Sequence, residues 1–146
     1  MLVICFMAIY HIAPCQTSIE FAPYSFRLWG QMPSSFTLQV QHKSLMVGYY
    51  YIRGSYMDEF KNPVRSHTAG LFYKPVLPIT KSLGISPILG VFNHRFPTKN
   101  GAWWAFGLNL NYIITPHFSI YYQHISNGWI AKLNPGLDNI GLKFTF

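Results

Sequence analysis

From Phe36 onward, long stretches of the chain switch between apolar and polar residues at every second position. Phe36, Leu38 and Val40 alternate with Thr37, Gln39 and Gln41, and Phe106, Leu108, Leu110 and Tyr112 alternate with Gly107, Asn109 and Asn111. The final segment repeats the pattern, setting Ile140, Leu142, Phe144 and Phe146 against Asn139, Gly141, Lys143 and Thr145. A repeat of two puts all the apolar side chains on one face of a strand and all the polar ones on the other. Each segment therefore needs two different environments, one on either side of a sheet.

Composition decides which side meets solvent. Of the 146 residues 50% are hydrophobic and 18% aromatic, and only 10% are charged, against about a quarter in a typical soluble domain. So few charges cover a water-facing surface poorly. Past residue 14 no apolar run approaches the roughly 20 residues that a spanning helix needs. A chain of this kind that crosses a membrane does so as a closed barrel, in which every backbone group pairs between strands. The apolar faces then point outward to lipid and the polar faces fill the lumen. The expected fold class is all-β, an eight-stranded antiparallel transmembrane β-barrel of outer-membrane type, forming one domain over 16–146.

Strands are expected at 18–28, 34–42, 45–53, 67–76, 83–93, 102–113, 117–126 and 138–146. The fifth alternates poorly and contains Pro87, which a paired strand interior disfavours. Connections after the second, fourth and sixth strands are mostly short. Those after the third, fifth and seventh are longer and carry Asp58, Glu59, Lys61, Arg65, Arg95, Lys99 and Lys132. Short turns on the periplasmic side and long outer loops are the asymmetry of such barrels, which makes both termini periplasmic. Trp29, Trp103, Trp104 and Trp129 then fall at the outer ends of strands, as an interfacial aromatic girdle would.

Met1 to Ala13 is an apolar stretch of signal-peptide length without the usual positive start, and residues 1–15 are expected to be a cleaved signal peptide. Pro14 before Cys15 argues against a lipoprotein attachment site. Cys5 and Cys15 are the only cysteines and both lie in or beside this segment, so the mature chain has no disulfide, thiol nucleophile or cysteine metal site. The formal charge of +7 calls for an anionic partner. The basic residues form no stripe, so phosphorylated lipid at a membrane surface fits better than nucleic acid. His11, His42, His67, His94 and His117 show no ligand spacing, and four carboxylates are too few for a calcium cage. No metal or cofactor is expected.

The chemistry gathers near the C-terminus. In the segment 117–126, His124 and Ser126 share a face with Phe118, Ile120 and Tyr122, the face turned to lipid. In the partner strand, parity puts Asp138 on the same side as Ile140, Leu142 and Phe144. A register that sets Tyr122 opposite Ile140 sets His124 opposite Asp138. A serine hydroxyl becomes a nucleophile when an imidazole takes its proton, and the imidazole needs a carboxylate to fix its tautomer. Donors for an anionic intermediate are at hand in Asn127, Gly128 and Asn134. The bland alternative is a solvated rim histidine followed by an Asn-Pro-Gly turn that Asp138 merely ends.

The run HISNGWIAKLNPGLDNIGLKFTF, residues 124–146, resembles the C-terminal signature of the PagL family of outer-membrane lipid A 3-O-deacylases, within the wider acyloxyacyl hydrolase group. In that family a His-x-Ser-Asn sequence closes the seventh strand, and a glutamate twelve residues beyond the serine completes a triad on the outside of the barrel. The resemblance implies His124 as base, Ser126 as nucleophile and Asp138 as orienting acid, with Asn127, Gly128 and Asn134 in the oxyanion region. Here the twelfth residue is an aspartate, one methylene shorter than the family's glutamate. Either the loop sits closer here or the orienting interaction is weakened.

The expected function is that of a serine esterase, without metal or cofactor, in the outer membrane of a Gram-negative bacterium. It would remove an ester-linked 3-hydroxyacyl chain from lipid A in the outer leaflet, with Arg95, Lys99 and Lys132 holding the phosphates. Nucleic acid is not an expected partner, and the choice between a monomer and a homodimer stays open. Two competing readings are a small structural or adhesive barrel without catalysis and a PagP-like lipid A acyltransferase.

Overall fold

Alternation selects the secondary structure, and every regular element among the described residues is a strand. A computed structural model describes residues 16–26, 35–52, 56–57, 63–64, 67–93, 103–126 and 136–146. The elements are β1 (Thr17–Phe26), β2 (Ser35–His42), β3 (Leu45–Ile52), β4 (Tyr56–Met57), β5 (Pro63–Val64), β6 (His67–Tyr73), β7 (Leu77–Pro78), β8 (Leu83–Phe92), β9 (Trp104–Thr115), β10 (Phe118–Ser126) and β11 (Leu137–Thr145), with no helix among the described residues. The main sheet runs β6-β3-β2-β1-β11-β10-β9-β8, and β6 pairs back onto β8. Every pairing is antiparallel, and the eight long strands close into a barrel. Closure pairs each of the eight long strands on both sides along at least part of its length, the condition for a sheet to sit in lipid. These eight strands correspond one to one to those expected from the sequence. The expected signal segment 1–15 lies outside the described residues.

The fourth expected strand is shorter than 67–76. It stops at Tyr73, and the chain resumes pairing only at β7, which meets the start of β8. The break has a use. It lets Lys74 turn inward, where its ammonium meets Glu20 at 2.5 Å. Pro87 lies opposite the same break: Ser86, Pro87 and Ile88 are paired to β9 alone, since β6 takes Leu89 to Phe92 and β7 takes Gly84 and Ile85. A proline is tolerated where a strand lacks a neighbour on one side.

The barrel has its apolar residues outside. Ile19, Phe21, Leu38, Val40, Leu142 and Phe144 are exposed, while Ser18, Glu20, Thr37, Gln39, Gln41 and Lys143 on the same strands are buried. In water this would be costly; in hydrocarbon it is the stable arrangement. Within the lumen, Gln39 Nε2 donates to Gln123 Oε1 at 2.8 Å and to the Tyr50 hydroxyl at 2.9 Å, and Thr37 donates to Asn139 at 3.2 Å. Lys143 adds a second cation 3.2 Å from Glu20.

The expectation of a polar lumen needs one correction. Met46, Tyr50, Phe72, Ile88, Phe92, Ala105, Ile125 and Leu137 form an apolar cluster inside the barrel, contributed mainly by β3, β6 and β8. The rings of Tyr50, Phe72 and Phe92 meet edge to face with centroids 5.1 to 6.1 Å apart, a favoured aromatic geometry. Phe72 fits because Gly90 has no side chain; a Cβ there would stand 2.3 Å from the ring. This cluster explains the poor alternation of β8. Its inward Ile88 and Phe92 are as apolar as its outward Leu89 and Val91, because a small barrel fills its interior with side chains.

Candidate active site

The register between β10 and β11 builds the site. Tyr122 stands opposite Ile140, and His124 opposite Asp138. Ile125 and Leu137 point inward into the apolar cluster, so their neighbours His124, Ser126 and Asp138 take the outward side. On β9, Leu108 pairs with His124 and Phe106 with Ser126. The histidine is therefore flanked by a carboxylate on one side and an apolar strand on the other.

Nδ1 of His124 lies 2.9 Å from Oδ1 of Asp138. Paired Cα atoms across a sheet are only about 4.5–5.5 Å apart, so the shorter carboxylate of an aspartate spans the gap without help from a loop. An ionised carboxylate can only accept, so this contact puts a proton on Nδ1 and, in the neutral ring, leaves Nε2 as the basic nitrogen. The ring edge that carries Nε2 is held from the other side. Gly136 adopts a left-handed conformation with φ of 62°, and a Cβ on it would stand 2.6 Å from Cε1 and 2.9 Å from Nε2 of His124. Glycine is the residue that tolerates both this φ and this approach.

Burial differs from the expectation of a trio open to lipid. The His124 side chain is 35% exposed, whereas that of Asp138 is 0% exposed and Ser126 retains 7%. Parity and register put the three residues on the outward side, yet the carboxylate is withdrawn from the surface and bonded to both Tyr122 and His124. The hydroxyl of Tyr122 donates to the same Oδ1 of Asp138 at 2.5 Å. A carboxylate withdrawn from water stays charged when donors surround it.

Of the residues singled out in the sequence, His124, Ser126 and Asp138 are brought to one end of adjacent strands. Asn127, Gly128 and Asn134, and the basic residues Arg95, Lys99 and Lys132, lie outside the described residues. So do Trp29 and Trp129, while Trp103 and Trp104 at the start of β9 are exposed. No group of three His, Cys, Asp or Glu side chains able to hold a metal occurs among the described residues. Sequence reasoning missed Tyr122, which looks like one more outward apolar residue, and the part Gly136 plays beyond its turn. The glycine in Asn134-Pro135-Gly136 was the available signal.

A closed barrel with apolar residues outside and a hydrogen-bonded His–Asp pair on its outer side has the architecture of an outer-membrane barrel protein. Residues 34–146 match the family of the lipid A 3-O-deacylase PagL, and the chain belongs to that family. A search of the curated proteins gave no match. Among solved structures the chain is similar to Ail, the attachment invasion locus protein of Yersinia pestis. The crystal structure of Ail aligns with a TM-score of 0.51 at 13% identity over 92% of this chain and 100% of that one. Its complex with the heparin analogue sucrose octasulfate gives 0.50 at 17% identity over 90% and 98%. The Ail backbone structure in a phospholipid bilayer nanodisc gives 0.50 at 15% identity over 90% and 99%. At these identities the likeness speaks for the fold, that of an outer-membrane barrel. Family and fold together support an outer-membrane location with lipid A as the family's substrate, and neither supports a homodimer.

Proposed function

We propose that this protein is an outer-membrane serine esterase that hydrolyses an ester-linked 3-hydroxyacyl chain of lipid A. The observation that carries the reading is the 2.9 Å hydrogen bond between His124 and Asp138, two residues from Ser126 on the outward side of a barrel of the lipid A 3-O-deacylase family. Ser126 Oγ attacks the acyl carbonyl while His124 Nε2 takes its proton, and Asp138 stabilises the imidazolium that forms. The bond between the carbonyl carbon and the sugar oxygen then breaks, and His124 returns the proton to that oxygen. Water attacks the acyl-enzyme with His124 again as base, and the 3-hydroxy fatty acid leaves.

In this reading both termini are periplasmic and the His124 end of β10 sits near the outer rim. Lipid A then reaches the site sideways from the outer leaflet. Asn127, Gly128 and Asn134 stabilise the oxyanion, Arg95, Lys99 and Lys132 hold the phosphates, and residues 1–15 are a signal peptide removed on export. Expression in a Gram-negative host, with lipid A mass spectra for the wild type and for Ser126→Ala and His124→Ala, tests it. Loss of one hydroxyacyl mass in the wild type alone is expected. A gain of mass points to acyl transfer, and an unchanged spectrum from a barrel with heat-modifiable migration rejects the esterase.

A further inference from the structure

We infer that Tyr122 is a positioning residue that clamps the Asp138 carboxylate against His124. The inference rests on reading His124, Ser126 and Asp138 as an esterase triad. Tyr122 precedes His124 by two residues on the same face, and its register partner is Ile140, which makes Asp138 its diagonal neighbour across the strand pair. That diagonal is within reach of a long side chain, and the phenol uses it. The Tyr122 hydroxyl and His124 Nδ1 converge on one oxygen, Asp138 Oδ1, at 2.5 and 2.9 Å.

Two features make this more than incidental satisfaction of a polar atom. Outward positions earlier on β10 are Phe118 and Ile120, and Leu110 and Ile140 flank Tyr122 on the adjacent strands. A phenylalanine at 122 would serve lipid contact equally well, so the hydroxyl is an added polar atom on an apolar face, tolerated because it is bonded. The second feature is the aspartate itself. Its short side chain is completely buried, and a carboxylate free to rotate would offer His124 either oxygen or neither. The phenol, bonded to the same oxygen, helps to hold Oδ1 facing Nδ1.

The test uses the full-length folded barrel in mixed micelles with lipid A, following release of 3-hydroxy fatty acid against lipid A concentration. Tyr122→Phe is expected to lower kcat about 10- to 100-fold with little change in KM. In an Asp138→Ala background the same substitution should add almost nothing, because a residue acting through another has no effect once that other is gone. Turnover is counted per folded barrel, judged by heat-modifiable migration, so a drop in yield cannot imitate a loss of kcat at constant KM. A wild-type kcat overturns the inference, as does a full additional loss in the Asp138→Ala background. Ser126→Ala separates the two levels. If release is absent from the wild type or survives in Ser126→Ala, the triad reading falls and takes the inference with it. If Ser126-dependent release is undiminished in Tyr122→Phe, only the inference falls.

Discussion

His124 and Asp138 occupy directly opposed positions on β10 and β11, and the imidazole Nδ1 touches the carboxylate Oδ1 at 2.9 Å. The contact is built into strand pairing itself, between two residues whose spacing is fixed by backbone hydrogen bonds. A one-methylene-shorter acid in place of the family's glutamate is thereby accommodated.

Asp138→Asn is expected to reduce fatty acid release by roughly 10³- to 10⁴-fold, since an amide leaves the ring free to take the unproductive tautomer. Migration of the barrel in its unheated form should be unchanged. Asp138→Glu should keep far more activity than Asp138→Asn, because it keeps the charge. Equal rates for wild type, Asp138→Glu and Asp138→Asn in a lipid A assay would remove Asp138 from the reaction.

Gly136→Ala should damage catalysis more than stability. The left-handed backbone costs a non-glycine residue roughly 1–2 kcal/mol, a modest loss for a closed barrel. The new methyl would meanwhile press on Cε1 and Nε2 of His124 and on the Ile125 carbonyl, moving the ring edge that is proposed to act as base. Urea unfolding in lipid vesicles compared with turnover per folded barrel separates the two effects. A fall in turnover no larger than the fall in stability predicts would argue that Gly136 serves the backbone alone.

Much of this was legible in the sequence because period two is a strong constraint. It located eight strands within a few residues, and parity from Ile140 back to Asp138 and from Tyr122 to His124 placed the pair face to face. The sequence was silent where a residue's role depends on its reach. Lys74 reads as a turn residue after Tyr73, yet its long side chain enters the lumen to meet Glu20. Tyr122 reads as lipid contact because five of its six ring carbons and its position say so, and its hydroxyl finds a partner only once the register is known. The apolar cluster around Phe72 and Phe92 blurred β8 because alternation presumes two unlike faces, and there both are apolar.

Glu20→Gln is expected to destabilise the barrel by about 3–5 kcal/mol, because it leaves buried cations without their counter-charge. Lys74 is completely buried beside it and Lys143 nearly so. The cluster takes no part in the proposed site, so the variant that folds should deacylate at the wild-type rate. Chemical denaturation in vesicles together with the lipid A assay checks both halves. A stability within 1 kcal/mol of wild type, on the order of the value of an exposed pair, would mean that water reaches the cluster from the turn end.

Leu71→Arg tests which solvent the outer face meets. Leu71 projects outward from the middle of β6 between Val47 and Val91, and all three are more than half exposed. In water an arginine on such a face would cost little and would relieve an apolar patch. In a bilayer a charge near the midplane costs about 2–4 kcal/mol. The variant should therefore fold less completely in lipid vesicles than the wild type, with the deficit shrinking for an arginine placed at Leu45, nearer the turn end of the strand. A Leu71→Arg barrel as stable as wild type would require the β3, β6 and β8 wall to be covered by something other than lipid.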